Sequence, residues 1–462
     1  MTPSRPPGQQ RGQQRSQQRK QQPRTQAGQS QAVQVAPPSA GGPTSTAKPA
    51  TAAPTAAAVA TPSAAADQAS VDVPQLLNRW QVIAVAACVL FTALTALLQV
   101  LAWQANRSAA DNTEQLVRVQ NIQSTLFRAD ALATTSFLVG GLEPPKQRQA
   151  YDDAIDQVTR QIADAAEAQP ADRAVLAELN AAVNRYTTTN TQARDNNRQG
   201  FPVGAEYLRG ASTQLRAEAQ PLMQALTDAN SARAQDELGA HDPLLLLLPG
   251  IGALLALWWV NRNLDRVFRR RFNVGVMAAF AVVSVLTAIA VGVSSSQDAG
   301  HEELRNGSYS LAVAEAQART AANDAKSNES RRLGAQGSGA VFEEGWQAAA
   351  KTVTENASAA TLERWQVYSN LHVQVVDLEE SGKYAEAVAL ATTTAPEGPT
   401  AALDAFDQAS KETVADAASA TTDELRSGNS LLLLLTGLTV IFGLGAAGLS
   451  AWGIAQRRRE YA

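Results

Sequence analysis

Two apolar runs, residues 243–260 and 274–293, stand almost back to back, with only a short basic connector, 261–273, between them. Each is about the length that crosses a hydrocarbon core of roughly 30 Å at a rise of 1.5 Å per residue. The connector carries Arg262, Arg266, Arg269, Arg270 and Arg271 against the single acid Asp265. A short loop of that charge belongs on the cytoplasmic face of a membrane. The pair therefore reads as a transmembrane hairpin, and it divides the chain into two halves that project outward from the same bilayer.

Two further spans complete this arrangement. Residues 80–103 begin on Trp80 and end on Trp103, with no charge between 82 and 102. Tryptophan at each edge fits the interfacial aromatic belt. The run lies too deep in the sequence, and is too long, for a cleaved signal peptide. Residues 431–455 form the fourth span, followed by Arg457, Arg458 and Arg459 in a C-tail over 456–462. Residues 1–75 are first rich in Gln and Arg, then in Ala, Pro, Thr and Ser. They have too few large apolar side chains for burial to offset chain entropy, so a disordered cytoplasmic tail is expected. Basic residues flank the spans in both tails and in the central connector. The expected location is the plasma membrane, multi-pass, with both termini cytoplasmic and membrane lipids as partners. The net charge of -4, from 39 basic and 43 acidic residues, gives no reason to expect a nucleic-acid partner.

Between the spans the chain is polar, Ala-rich and periodic. In 104–242, Val119, Ile122, Leu126, Ala129 and Ala133 keep a three-four spacing. Further stripes follow, led by Tyr151, Leu176 and Leu208, with breaks at Gly140-Gly141, Pro170 and Gly200. Four amphipathic stripes with short connections predict an antiparallel bundle. Residues 294–430 repeat the plan, with Leu304, Leu311, Ala318 and Ala325 first, then stripes led by Phe342, Leu362 and Leu403. Ala129-Asp130-Ala131 and Asn323-Asp324-Ala325 occupy corresponding places, and the shared order of span, bundle and span reads as a tandem repeat. The expected fold is all-α: an integral membrane protein with four transmembrane helices and two extracytoplasmic antiparallel four-helix bundles. Cys88 is the lone cysteine, so intrachain disulfides are excluded and the outer domains must hold by packing.

Chemistry is sparse. No phosphate-cradling glycine loop, zinc spacing or nucleophile elbow occurs. No catalytic residue, cofactor or metal is expected, and the chain does not read as an enzyme. His241 and His301 read as surface residues, and His372, on the apolar stripe, as a bundle histidine with a polar neighbour. The spans carry no Asp, Glu, Lys or Arg between their ends, which argues against ion transport. Gly443, Ala447, Ala451 and Ala455 recur every fourth residue as a helix-packing face. Direct recognition of an amino acid would need a cation for its carboxylate. Arg118 and Arg128 are the candidates in the first bundle, with Arg319, Arg331 and Arg332 in the second, each weighed against a solvated helix face.

This layout resembles the sensing half of bacterial chemoreceptors and sensor kinases, without the helix pair and output domain that follow there. With Leu77-Asn78-Arg79-Trp80-Gln81 leading into the first span, it resembles more narrowly the actinobacterial GlnX-type four-span membrane sensors. That resemblance implies a signal transducer that relays glutamate and aspartate availability. Its implied partners are an extracytoplasmic amino-acid-binding lipoprotein and a cytosolic Ser/Thr protein kinase; apart from the resemblance, a homodimer is a further expected state. The connector arginines then become the candidate cytosolic output. Two alternatives remain open: a chemoreceptor-like receptor that binds a small molecule directly in a bundle, and a membrane scaffold that does not switch.

Overall fold

The computed structural model describes residues 73–139, 143–199, 203–239, 243–268 and 273–460. The tail expected over 1–75 falls almost wholly outside them, as do His241, Arg269, Arg270 and Arg271. Among the described residues there is no strand. The helices are α1 Val73–Leu138, α2 Pro145–Ala168, α3 Arg173–Arg198, α4 Val203–Gln214, α5 Gln220–Gly239 and α6 Leu247–Phe268, then α7 Val274–Asn306, α8 Ser308–Gly334, α9 Ala340–Asn356, α10 Ala359–Glu380, α11 Tyr384–Thr392 and α12 Pro399–Glu460. A π-helical segment, Leu215–Ala219, joins α4 to α5 without a break in the rod.

Four stretches are long and apolar enough to cross a membrane: Gln75–Leu138, Pro243–Phe268, Val274–Gly334 and Pro399–Arg459. Their apolar segments pack into one cluster built on Trp80, Phe91, Leu257, Val283 and Ala447. Leu90, Leu255, Trp258, Ile289 and Ile441 point away from it and are exposed. Helices apolar on both faces suit a lipid surround rather than water. Close crossings rest on small residues. A side chain at Gly443 would collide with Thr92, one at Gly250 with Thr287, and Gly275 and Gly453 meet backbone to backbone. Gly443 and Ala447 of the expected packing stripe lie on contact faces of this kind. Asn273 fastens the start of α7: its side chain accepts from Gly275 N and Val276 N and donates to Gly453 O at 2.8 Å. The connector is shorter than its composition suggests. Helix α6 runs on to Phe268, and Leu264 packs into the apolar cluster instead of lying on a membrane surface.

Beyond the apolar segments, each half of the chain has its own core. Val119, Ile122 and Leu126 of α1 meet Val158 of α2, Leu179 and Tyr186 of α3, and Leu208, Leu215 and Met223 of the α4–α5 rod. Ala318, Ala322 and Ala325 of α8 meet Trp346 of α9, Trp365 and Tyr368 of α10, and Leu403 and Phe406 of α12. Helix α11 was not apparent from the sequence. Gly382, at φ 76°, ends α10 in the left-handed region that glycine tolerates, and the short helix behind it buries Ala387 and Ala391 against Leu333 and Val375.

The halves are joined by α1 and α8, which pack parallel and in register. Leu116 meets Tyr309, Val117 meets Ala312, and Leu138 meets Leu333. Thr135 and Ser330 hydroxyls lie 2.8 Å apart. Helix α12 runs antiparallel to α1 along most of its length, from Gln99–Thr439 (3.2 Å) through Arg426–Glu114 (2.6 Å) to Arg128–Asp404 (2.8 Å). Two expectations fail here, and the break at Gly307 accounts for the first. Leu311, read on the buried stripe, is 40 % exposed, and His301, read as a surface residue, is buried at 5 %. Gly307 (φ -109°, ψ -109°) interrupts the rod between α7 and α8 and resets its helical phase.

Candidate functional site: a polar seam between the halves

Helix α8 is polar in sequence yet buried on nearly every side, because it lies between α1 and its own core. Most of the charges it carries are therefore paired rather than solvated. Next to it, on α1, Asp130 is fully buried. Its carboxylate accepts from Ser212 (2.6 Å), Ser327 (2.6 Å), Arg216 (2.9 Å) and Tyr186 (3.3 Å). Arg216 also reaches across to Asp324 at 2.7 Å and Ser327 at 3.0 Å, so one guanidinium ties both halves. It belongs to the π segment, whose extra residue per turn offsets the side chain from the regular α register. Burial alone would raise the Asp130 pKa, but Arg216, Ser212 and Ser327 outweigh it and hold the carboxyl below the usual range.

One to two turns nearer the apolar segments, Arg319 forms a bidentate pair with Asp407 of α12 (2.9 and 3.1 Å) and donates to Asn121 of α1 at 2.7 Å. Asn323 donates to Asp407 (2.9 Å) and to Ser124 (3.1 Å). Arg128 of α1 lies 3.8 Å from the same Asp407 carboxylate, so three helices from two halves meet at it. Within the second half, buried Glu329 accepts from Lys326 (2.5 Å) and lies 2.8 Å from His372 Nδ1. His372 stacks on Trp346 at 3.8 Å between ring centroids, and its other nitrogen is 3.3 Å from Glu343. Burial opposes charge on Glu329, yet Lys326 and His372 bring its pKa down to about 2. Burial likewise opposes protonation of His372, but Glu329 and Glu343 raise it above the ordinary imidazole value.

A cleft with about 820 Å³ of empty space opens between α1 and α2 on one side and α8 and α12 on the other, with Arg128, Lys146, Lys326 and Asp404 on its walls. Two of its cations already have partners. Arg128 binds Asp404 (2.8 Å), and Lys326 also donates to Ala391 O at 2.9 Å.

The sequence-derived candidates fall in several places. Arg118 pairs with Glu114 one turn away on the same helix (3.1 Å), away from this cleft. Arg128 lines the cleft. Arg319 and Arg332 are not solvated faces: Arg332 is buried against Glu379, Glu380 and Glu343. Arg331 lies over the Phe342 ring at 4.4 Å. Arg262 stacks on Trp258 (5.5 Å) at the end of α6, and Arg266 follows one turn later. Asp130, Arg216, Asp324 and Glu329 were missed as a set. The available signal was the charges next to apolar stripe positions, such as Asp130 after Ala129 and Lys326 after Ala325.

Four apolar helices and an all-helical body joined by a polar seam fit a multi-pass membrane protein. Residues 105–239, from α1 beyond its apolar segment to the end of α5, match the family described as an actinobacterial sensor domain. That match supports an actinobacterial sensor protein with a sensing or signalling role. No curated protein and no solved structure matches the chain.

Proposed function

We propose that the protein is a non-enzymatic transmembrane signal transducer whose two halves are tandem extracytoplasmic four-helix bundles. In this reading both termini and the α6–α7 turn face the cytoplasm, in line with the basic residues that flank the apolar segments. The sensor-domain match over 105–239 supports the class. The observation that carries the mechanism is the continuity of α1 and α12, each of which passes unbroken from its apolar segment to the polar seam. At 66 residues and 1.5 Å per residue, α1 is about 100 Å long. A partner that favours one arrangement of the seam over another shifts such a rod as a unit.

The ends proposed for the relay are those that the resemblance to GlnX-type sensors implies. Glutamate and aspartate availability enters through a solute-binding lipoprotein, and a cytosolic Ser/Thr kinase receives the output. The basic end of α6, with Arg262 and Arg266, and the connector arginines Arg269, Arg270 and Arg271 beyond the described residues are the contact proposed for that kinase.

Affinity capture of the intact protein from membranes, with and without glutamate, tests this. Recovery of a lipoprotein and a kinase, with the kinase share altered by glutamate, is the expected outcome. Partners that stay constant whatever the ligand would make the protein a scaffold instead.

A further inference from the structure

A second cleft, with about 1120 Å³ of empty space, lies across the seam from the first. One wall comes from α1 and α5, the other from α8 and α9. Its chemistry differs from that of the cationic cleft. Gln120, Gln123, Gln220, Gln224 and Gln317 line it with Thr227, and Asp324 is its one charged side chain.

Gln120 is the informative residue. It is 3 % exposed, and neither its amide oxygen nor its amide nitrogen has a protein partner. The Thr227 hydroxyl, on α5 of the same wall, is also buried without one. Leaving a buried polar group unmatched costs about 1–3 kcal/mol, and here three such atoms belong to two residues that line one cavity. Other buried amides nearby are at least partly matched: Asn323 donates to three acceptors and Asn230 to two.

We infer that this glutamine-lined cleft binds a small uncharged molecule bearing a primary carboxamide. A carboxamide presents an N–H and a C=O side by side, so it can donate to the Gln120 oxygen and accept from its nitrogen at once. A carboxylate only accepts; it leaves the Gln120 oxygen unmatched and meets repulsion from Asp324. An ammonium only donates and leaves the Gln120 nitrogen unmatched. Asp324 couples the cleft to the seam, because the same carboxylate holds Arg216 at 2.7 Å. The inference does not depend on the lipoprotein or the kinase, and it adds an input that the relay does not include.

Calorimetric titration of the full chain in detergent with succinamide, against succinate as the isosteric anion, tests it. Saturable succinamide binding is expected, with succinate at least about tenfold weaker. Gln120→Leu should weaken succinamide by about tenfold or more. It removes an unmatched amide from a buried place, so it should leave the thermal midpoint unchanged or higher, which separates lost binding from lost folding. Thr227→Val should weaken binding severalfold and serves as the second variant. Absence of saturable succinamide binding to the folded wild type overturns the inference. So does equal binding of succinate, or a Gln120→Leu protein that binds as the wild type does.

Discussion

Replacing Arg216 with Met removes the one guanidinium that ties Asp130 to Asp324. The fully buried Asp130 carboxylate then keeps Ser212, Ser327 and Tyr186 as donors but loses its counter-charge. Breaking a buried pair by removing one partner costs about 3–5 kcal/mol. The Arg216 side chain retains 19 % exposure, so the lower end, about 3 kcal/mol, is the expected loss. For units of this size that lowers the thermal midpoint by roughly 5–10 °C. Asp130→Asn in the same chain removes the stranded charge, so the double variant should recover a large part of the loss. Tryptophan fluorescence of the detergent-solubilised chain during heating reads all four members of the cycle. If Arg216→Met shifts the midpoint by no more than about 2 °C, or if Asp130→Asn restores nothing, the seam is not held by this pair.

Three further outcomes follow from the same geometry. Glu329, lowered to about 2, contributes stability that is present above its ordinary 4.5 and lost as pH falls towards the folded value. His372, raised above 6.5, contributes stability that is full below 6.5 and lost as pH rises through its folded value. The thermal midpoint of the second half should therefore be highest between these limits and fall on the alkaline side, and His372→Gln should flatten that alkaline slope in fluorescence melts. Cysteines at Thr135 and Ser330, in a Cys88→Ser background, should oxidise to an intramolecular disulfide seen as a faster-migrating band, since the two hydroxyls are 2.8 Å apart; failure to form it would refute the in-register packing of α1 and α8. Gly453→Val drives a side chain into Asn273 and the Gly275 backbone, whereas Gly445 has nothing within 4 Å. Gly453→Val should cost about 1–3 kcal/mol or more and reduce the monodisperse fraction on size exclusion, while Gly445→Val should not.

Helix type and the apolar segments were legible because both signals are local. A charge-free run from 82 to 102 marks its own length, and Val119, Ile122 and Leu126 mark the face that meets the first core. The seam was not legible, because a helix between two partners has no solvent side. On α8 the periodicity of Ala318, Ala322 and Ala325 describes only the face towards Trp346 and Phe406. Arg319, Asn323, Lys326 and Ser327 look like the opposite, wet face, yet they meet α1, α11 and α12. Leu311 failed for a different reason, since Gly307 just before it changes the phase of everything after it, and His301 is buried on α7 by the packing of that helix itself. The candidate arginines show both cases: Arg118 is the surface pair its context suggests, while Arg319 and Arg332 owe their burial to carboxylates far away in sequence.

The interruption at Gly307 makes the two halves mechanically unequal. A side chain there would press on Glu303 O at 2.9 Å, so the joint depends on glycine. Helices α1 and α12 act as push-rods: an axial displacement at the seam arrives at the far end of the apolar segment with little loss. The corresponding route through α8 passes a swivel, where an equal displacement is first taken up by two backbone torsions. In the proposed transducer, strain applied to the seam is therefore expected to leave through α1 and α12, with α7 as the fixed post against which their travel is measured.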